Sequence, residues 1–151
     1  MTTTDTPPPA PATEGTYTLG LDFGTLSVRA VVTRVSDGEI LADAVSEYAT
    51  PIMDRRLTAG DNRELPPEFA LQVPGDYLES MCAASAAAVR ASGVRGADII
   101  GVGLDVTSAT VVVTDSDGVP MCEKPEFANN PHAYVKLWKH HGAQSQADRI
   151  V

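Results

Sequence analysis

Large apolar residues are almost absent up to about position 15 and then arrive in short runs. Residues 1–15 are mostly Thr, Pro and Ala, too poor in apolar surface to offset their ordering entropy, and are expected to form a disordered lead. Residues 17–23, dense in Leu and Gly, predict a strand that ends at Asp22-Phe23-Gly24-Thr25. Residues 27–35, rich in β-branched valine, predict a second strand. Ser36-Asp37-Gly38-Glu39 carries the Asp-Gly signature of a tight hairpin, and residues 40–48 return as a third strand. Residues 50–74 hold four of the eleven prolines and many charges, and read as a long surface excursion of the kind that is often functional.

A helix is expected next, capped by Asp76 with Glu79 three positions on. Leu78, Met81, Cys82, Ser85 and Val89 fall on one face of it, and Gly93 stops it. Residues 98–105 read as a buried strand with no polar residue between its two acids. Residues 109–114 predict another strand, Asp115-Ser-Asp-Gly118 a second tight turn, and residues 119–122 the return. Asn130 and Pro131 open a helix as cap and first residue, running to about His141 with Gly142 beyond it. A further helix starts near Gln146 and is cut at Val151, so the chain is expected to be truncated. The order β-β-β-α-β predicts an α/β fold, a mixed sheet with helices packed on it.

Composition narrows the picture. At 43% hydrophobic and 5% aromatic, the core must come from Val, Ile, Leu and Ala. No apolar run reaches the roughly 18 residues of a membrane helix. The amino terminus lacks the basic start and apolar stretch of a signal peptide, so a cytoplasmic location is expected. A net charge of −9 argues against a duplex nucleic-acid binder, which needs a basic face. It leaves room for a nucleotide, which a local set of amides and a cation can hold. Cys82 and Cys122 form no metal-like pattern and are expected to be buried free thiols.

The chemistry concentrates in Leu19-Gly-Leu-Asp22-Phe-Gly24-Thr25-Leu-Ser27-Val-Arg29. A buried strand delivers Asp22 to its end and a glycine turn follows at once. Gly24 lets backbone approach a phosphate. The N–H groups around Thr25 and Leu26, with the Thr25 hydroxyl, can line an anion concavity. Asp22 can hold Mg²⁺ through its waters, and Arg29 can reach a phosphate. Asp105 ends a strand as Asp22 does, so the two carboxylates can approach, or Asp105 can satisfy turn amides. Gln72, Arg55, Arg56 and Arg63 read as surface residues. His132, His140 and His141 read as solvated or capping.

This segment resembles the first phosphate motif of the FGGY carbohydrate kinases, members of the actin/hexokinase superfamily with a ribonuclease-H-like core. Residues 65–77, Gly101-Val-Gly-Leu-Asp-Val-Thr107-Ser108-Ala-Thr and Lys136-Leu-Trp138-Lys139-His-His look like the ribulokinase branch. The likeness covers residues 17–151 and implies the front of a sugar-binding domain, residues 16–151, incomplete at its end.

The resemblance implies roles residue by residue. Asp22 matches an Mg²⁺-associated aspartate, and Gly24, Thr25 and Arg29 match a turn that contacts ATP phosphate. Relatives often carry a hydroxyl where this chain has Leu26. Thr107 and Ser108 match a turn lining the sugar pocket, small here where glycerol kinases are bulkier. Trp138 matches an aromatic packed on substrate carbon, with Lys139 beside it; by pattern alone Trp138 reads equally as core. The family's catalytic base and adenine-binding domain have no counterpart in these residues. The implied reaction is ATP-dependent phosphorylation of a ketopentose, L-ribulose foremost, with Mg²⁺, by a longer enzyme that can be a homodimer. The alternatives are xylulose as substrate, an actin- or chaperone-like nucleotide-binding module, and a non-catalytic sugar-binding remnant.

Overall fold

The computed structural model describes residues 15–150, so the expected lead lies outside the described residues apart from Gly15. Strand β1 (Tyr17–Phe23) buries Tyr17, Leu19 and Leu21 on one face. β2 (Ser27–Arg34) buries Val28, Ala30 and Val32. β3 is Ile40–Glu47. The turn between β2 and β3 places Gly38 at φ +76°, a conformation that glycine adopts without steric cost. These three strands form an antiparallel meander, and β5 (Ile99–Val106) adds in parallel to β1, giving the order β3-β2-β1-β5. This is the mixed sheet expected.

Helix α1 (Pro74–Ser92) crosses the sheet mainly over β2 and β3. Its end agrees with expectation and its start does not. Gly93 stops it in the left-handed region at φ 68°. At the start the cap position is Val73, with Pro74 in the first turn, and Asp76 lies inside the helix. The Asp76 carboxylate accepts the Thr50 N–H at 2.8 Å, so it ties the helix to the incoming chain instead of capping it.

The buried stripe of α1 is also different. Asp76, Ser80, Ala84 and Ala88, spaced four apart, face the sheet. Small side chains let the helix lie close on the valine-rich strands, and Ser80 donates to the Glu47 carbonyl at 3.1 Å. The larger residues expected to be buried flank this stripe. Met81 and Val89 pack at its margin, while Leu78 and Cys82 are exposed, so Cys82 is not the buried thiol expected; Cys122 is.

β5 corrects the reading of residues 98–105 as buried. Its register sets Val102 beside Leu19, Leu104 beside Leu21 and Val106 beside Phe23. Neighbours in a ladder share a face, so these side chains lie on the core side. α1 does not extend over this edge strand, and Ile100, Val102, Leu104 and Val106 are each more than half exposed.

Residues 50–74 are not a surface excursion. Met53, Leu57, Leu65, Phe69 and Leu71 build a second core with Cys122, Ala133 and Tyr134. Two short strands cross it, β4 (Leu71–Gln72) pairing antiparallel with β6 (Val135–Lys136). That pairing displaces the helix expected from Asn130 to His141. Asn130 does accept the His132 N–H at 3.0 Å, but the helical geometry covers one 3₁₀ turn, Pro131–Ala133. Burial of Tyr134, Val135 and Leu137 then draws the chain into extended pairing. Residues 109–114 and 119–122 do not form the expected strand pair either. Val111 bridges to Lys136, and Thr114 to Pro120, around a turn with Gly118 at φ +81°. α2 (Gln144–Ala147) is the short helix near Gln146. Among the described residues no helix is long and apolar enough to cross a membrane.

Candidate functional site

β1 carries Asp22 to its carboxyl end on the face opposite α1. The antiparallel partner of Asp22 is Arg29 and its parallel partner is Asp105. Three charges therefore stand in one row across three strands. Arg29 Nη1 lies 3.2 Å from the Asp22 carboxylate, and both side chains are substantially exposed. Asp105 is exposed and does not reach the turn amides.

The chain reverses over Gly24–Ser27, where the Gly24 N–H donates to the Ser27 carbonyl at 3.0 Å. The N–H groups of Thr25 and Leu26 have no acceptor among the described residues. A Cβ on Gly24 would come within 3.3 Å of the Ser27 carbonyl and 4.0 Å of the Arg29 guanidinium. Gly24 thus leaves room beside a cation and two unspent donors, which suits an anion. A divalent cation would find the Asp22 carboxylate, with Asp105 next to it across the parallel ladder. No group of three His, Cys, Asp or Glu side chains able to hold a metal occurs among the described residues. That donor set fits Mg²⁺, which keeps several waters and takes further oxygens from phosphate, and not a closed protein cage.

Trp138 reaches this turn from the far part of the chain. Its indole N–H donates to the Thr25 hydroxyl at 3.2 Å, and 52% of the residue remains exposed. Trp138 is therefore neither helical nor core; it forms a wall beside the turn. Thr107 is tied to the end of β1, its N–H and hydroxyl both bonding the Phe23 carbonyl, at 3.1 and 2.7 Å. Ser108 next to it is exposed, and Ala109 adopts φ +55°, an unusual conformation for a residue with a Cβ. Lys139 follows Trp138 in the chain. It lines a polar depression of about 260 Å³ with Asp54, Arg55 and Glu68.

A larger cavity, about 540 Å³, lies on the helix side of the sheet. Phe23, Leu78, Leu104, Val106 and Leu137 give it apolar walls, with Gly24, Gln72, Thr107 and Thr110 on its polar edge. Ser108, Trp138 and Lys139 do not line it. Its apolar walls suit hydrocarbon better than a polyhydroxylated sugar.

Several structured residues escape a reading of sequence alone. Gln72 is not at the surface but 2% exposed. It donates to the Thr25 carbonyl at 2.9 Å and accepts the Tyr77 hydroxyl at 2.8 Å. Tyr48 donates to the Gly24 carbonyl at 3.0 Å. Burial, with the negative charge of Asp22, pushes the Tyr48 phenol up to about 12. Burial raises Tyr77 further, so both remain donors at neutral pH. His140 is structural: its Nδ1 accepts the Ala70 N–H at 3.1 Å and its ring packs against Phe69.

No protein-family model matches the chain. Over 145 residues, 96% of its length, the chain is 47% identical to a ribulokinase of Mycolicibacterium smegmatis. Over 134 residues, 89% of its length, it is 47% identical to a ribulokinase of Geobacillus thermodenitrificans. These alignments take in 25% and 23% of the relatives, so the chain spans about a quarter of their length. Among solved structures, a xylulose kinase from Brucella ovis shares the fold at a TM-score of 0.66 and 18% identity, over 89% of this chain and 23% of that one.

Proposed function

We propose, for a chain related to the ribulokinases over about a quarter of their length, that it supplies the phosphate-turn side of an ATP-dependent sugar kinase. The acceptor of the whole enzyme is a ketopentose, L-ribulose foremost, and the product L-ribulose 5-phosphate. The observation that carries this reading is the turn after β1. Two unspent amides, the Thr25 hydroxyl, Arg29 and Asp22 gather at one strand end, with the Trp138 indole bonded to the same turn.

In this reading the γ-phosphoryl passes from ATP to a terminal hydroxyl of the sugar, ADP departs, and the hydroxyl proton goes to a base outside these residues. Phosphoryl transfer needs positioning and charge neutralisation more than covalent help. The Thr25 and Leu26 amides and Arg29 neutralise phosphate oxygens. Asp22 would hold Mg²⁺ through its waters, and the ion would supply further positive charge to the phosphate. Trp138 offers its exposed ring to sugar carbon, and Thr107 and Ser108, just past the end of β5, are the small residues this reading assigns to the sugar side. Lys139, facing the depression with Asp54 and Glu68, is removed from this role.

The test is ADP release by the whole protein with L-ribulose, D-ribulose, D-xylulose and glycerol offered separately. Strong turnover of L-ribulose is expected, with negligible turnover by residues 1–151 alone. Turnover of none of the four would overturn the reading; preference for D-xylulose would move the substrate and keep the reaction.

A further inference from the structure

We infer that Gln72 and Tyr48 are positioning residues that turn the amides of the β1–β2 reversal outward, so that the turn is a pre-set phosphate acceptor. Three consecutive carbonyls of this reversal are tied back to the body of the protein. The Gly24 carbonyl accepts the Tyr48 hydroxyl at 3.0 Å. The Thr25 carbonyl accepts the Gln72 side-chain amide at 2.9 Å. The Leu26 carbonyl accepts the Tyr48 backbone N–H at 3.0 Å. In a planar trans peptide the N–H points opposite to the C=O it is joined to. Pinning the Gly24 and Thr25 carbonyls inward therefore aims the Thr25 and Leu26 N–H groups away from the protein. Neither of these amides has an acceptor among the described residues.

The two anchors are themselves held. The Tyr77 hydroxyl donates to Gln72 Oε1 at 2.8 Å, which fixes the amide with its NH₂ toward Thr25. The Tyr77 ring stands edge-on to Tyr48 at 5.0 Å and to Phe23 at 6.4 Å. Gln72 is fully enclosed, so its amide has no water to exchange for these partners. A buried glutamine whose amide NH₂ is spent on one turn, with its oxygen held by Tyr77, is costly unless the turn's orientation matters. A reversal held by three donors also loses little freedom when an anion docks, and affinity rises with that preorganisation.

This inference rests on the phosphate reading of the turn, and the experiment separates the two. In the whole protein, Gln72→Met removes the donor at similar volume, Gln72→Glu keeps an acceptor for Tyr77 but none of the donation to Thr25, and Tyr48→Phe keeps the ring in its cluster. ATP and sugar KM, kcat, and calorimetric binding of ATP without sugar are measured on each. Gln72→Met and Gln72→Glu are expected to weaken ATP by about tenfold, the loss of one well-placed bond to a charged group. Tyr48→Phe does the same to a smaller degree, and sugar KM moves by less than about twofold in all three. Equal changes in both KM values, or a lowered melting temperature with ATP binding intact, would overturn the inference. Tyr48→Phe decides the matter should the Gln72 variants fold poorly. A wild-type protein that binds ATP yet phosphorylates no sugar, with binding weakened in these variants, removes the kinase reading and retains this one. A wild-type protein that binds neither ATP nor inorganic phosphate overturns both.

Discussion

Trp138 donates its indole N–H to the Thr25 hydroxyl at 3.2 Å, across 113 positions of sequence. It is the single tryptophan of the chain. Its fluorescence therefore reports on the β1–β2 turn without labelling. Inorganic phosphate or ATP added to the chain is expected to shift or quench this emission, and Thr25→Val to change it before any ligand is added. An emission spectrum indifferent to both would dissociate the tryptophan from the turn.

Asp22→Asn should cost activity without costing the fold. The ion pair with Arg29 is exposed on both sides, and such pairs contribute about 0–1 kcal/mol. The whole enzyme is expected to lose roughly 100-fold or more in kcat/KM, a figure in line with removing one charge-stabilising group. Its melting temperature should stay near that of wild type in the same buffer.

Acid should loosen the second core through His140. Burial, with the neighbouring Lys136, His132 and His141 charges, holds its pKa below the ordinary 6.5. The native state therefore favours neutral imidazole, whose Nδ1 accepts the Ala70 N–H. The unfolded chain binds the proton more readily, so this stability is present above about pH 6.5 and is lost as pH falls below it. Thermal melts from pH 7.5 to 5.5 are expected to show a decline that His140→Asn reduces; parallel profiles would exclude His140 as its source.

Gly93→Ala should destabilise α1 by about 1 kcal/mol, because alanine pays a steric cost in the left-handed region at φ 68°. Ser85→Ala on the same helix provides the control. Chemical denaturation that gave the two variants equal midpoints would contradict the role of Gly93 as the stop.

The bare stripe on β5 should make residues 1–151 sticky. Ile100, Val102, Leu104 and Val106 form an apolar strip with no cover among the described residues. The chain expressed alone is expected to bind a hydrophobic dye and to associate at micromolar concentration. Leu104→Thr with Val102→Thr should reduce both. A monodisperse monomer that ignores the dye would refute this.

What the sequence made legible was local. β1, β2, β3, the turns at Gly38 and Gly118, and the stop at Gly93 each depend on residues within a few positions of one another. The reversal proposed to hold phosphate is local in the same way, since Asp22, Gly24, Thr25 and Arg29 meet through one hairpin. What stayed hidden was made by distant partners. Residues 50–74 look polar and prolyl, yet their sparse apolar residues converge on Tyr134 and Cys122. Residues 130–141 have a helix start, but pairing with β4 offers their backbone another ladder. Gln72 finds its acceptor 47 positions away, which no spacing rule anticipates. The stripe of Leu78, Met81, Cys82, Ser85 and Val89 was apolar as read, but the small stripe beside it met the sheet.

The parallel pairing of β1 with β5 also sets a clock. Thr107 at the end of β5 closes on Phe23 from 84 positions away. A ribosome adding about 5–20 residues per second needs roughly 4–17 s to cover that interval. The antiparallel meander can form early from neighbouring segments, but through those seconds β1 shows the nascent environment an open edge. The strand that delivers Asp22 is thus the last of the meander to have both its sides paired, and the site matures only once β5 has been made.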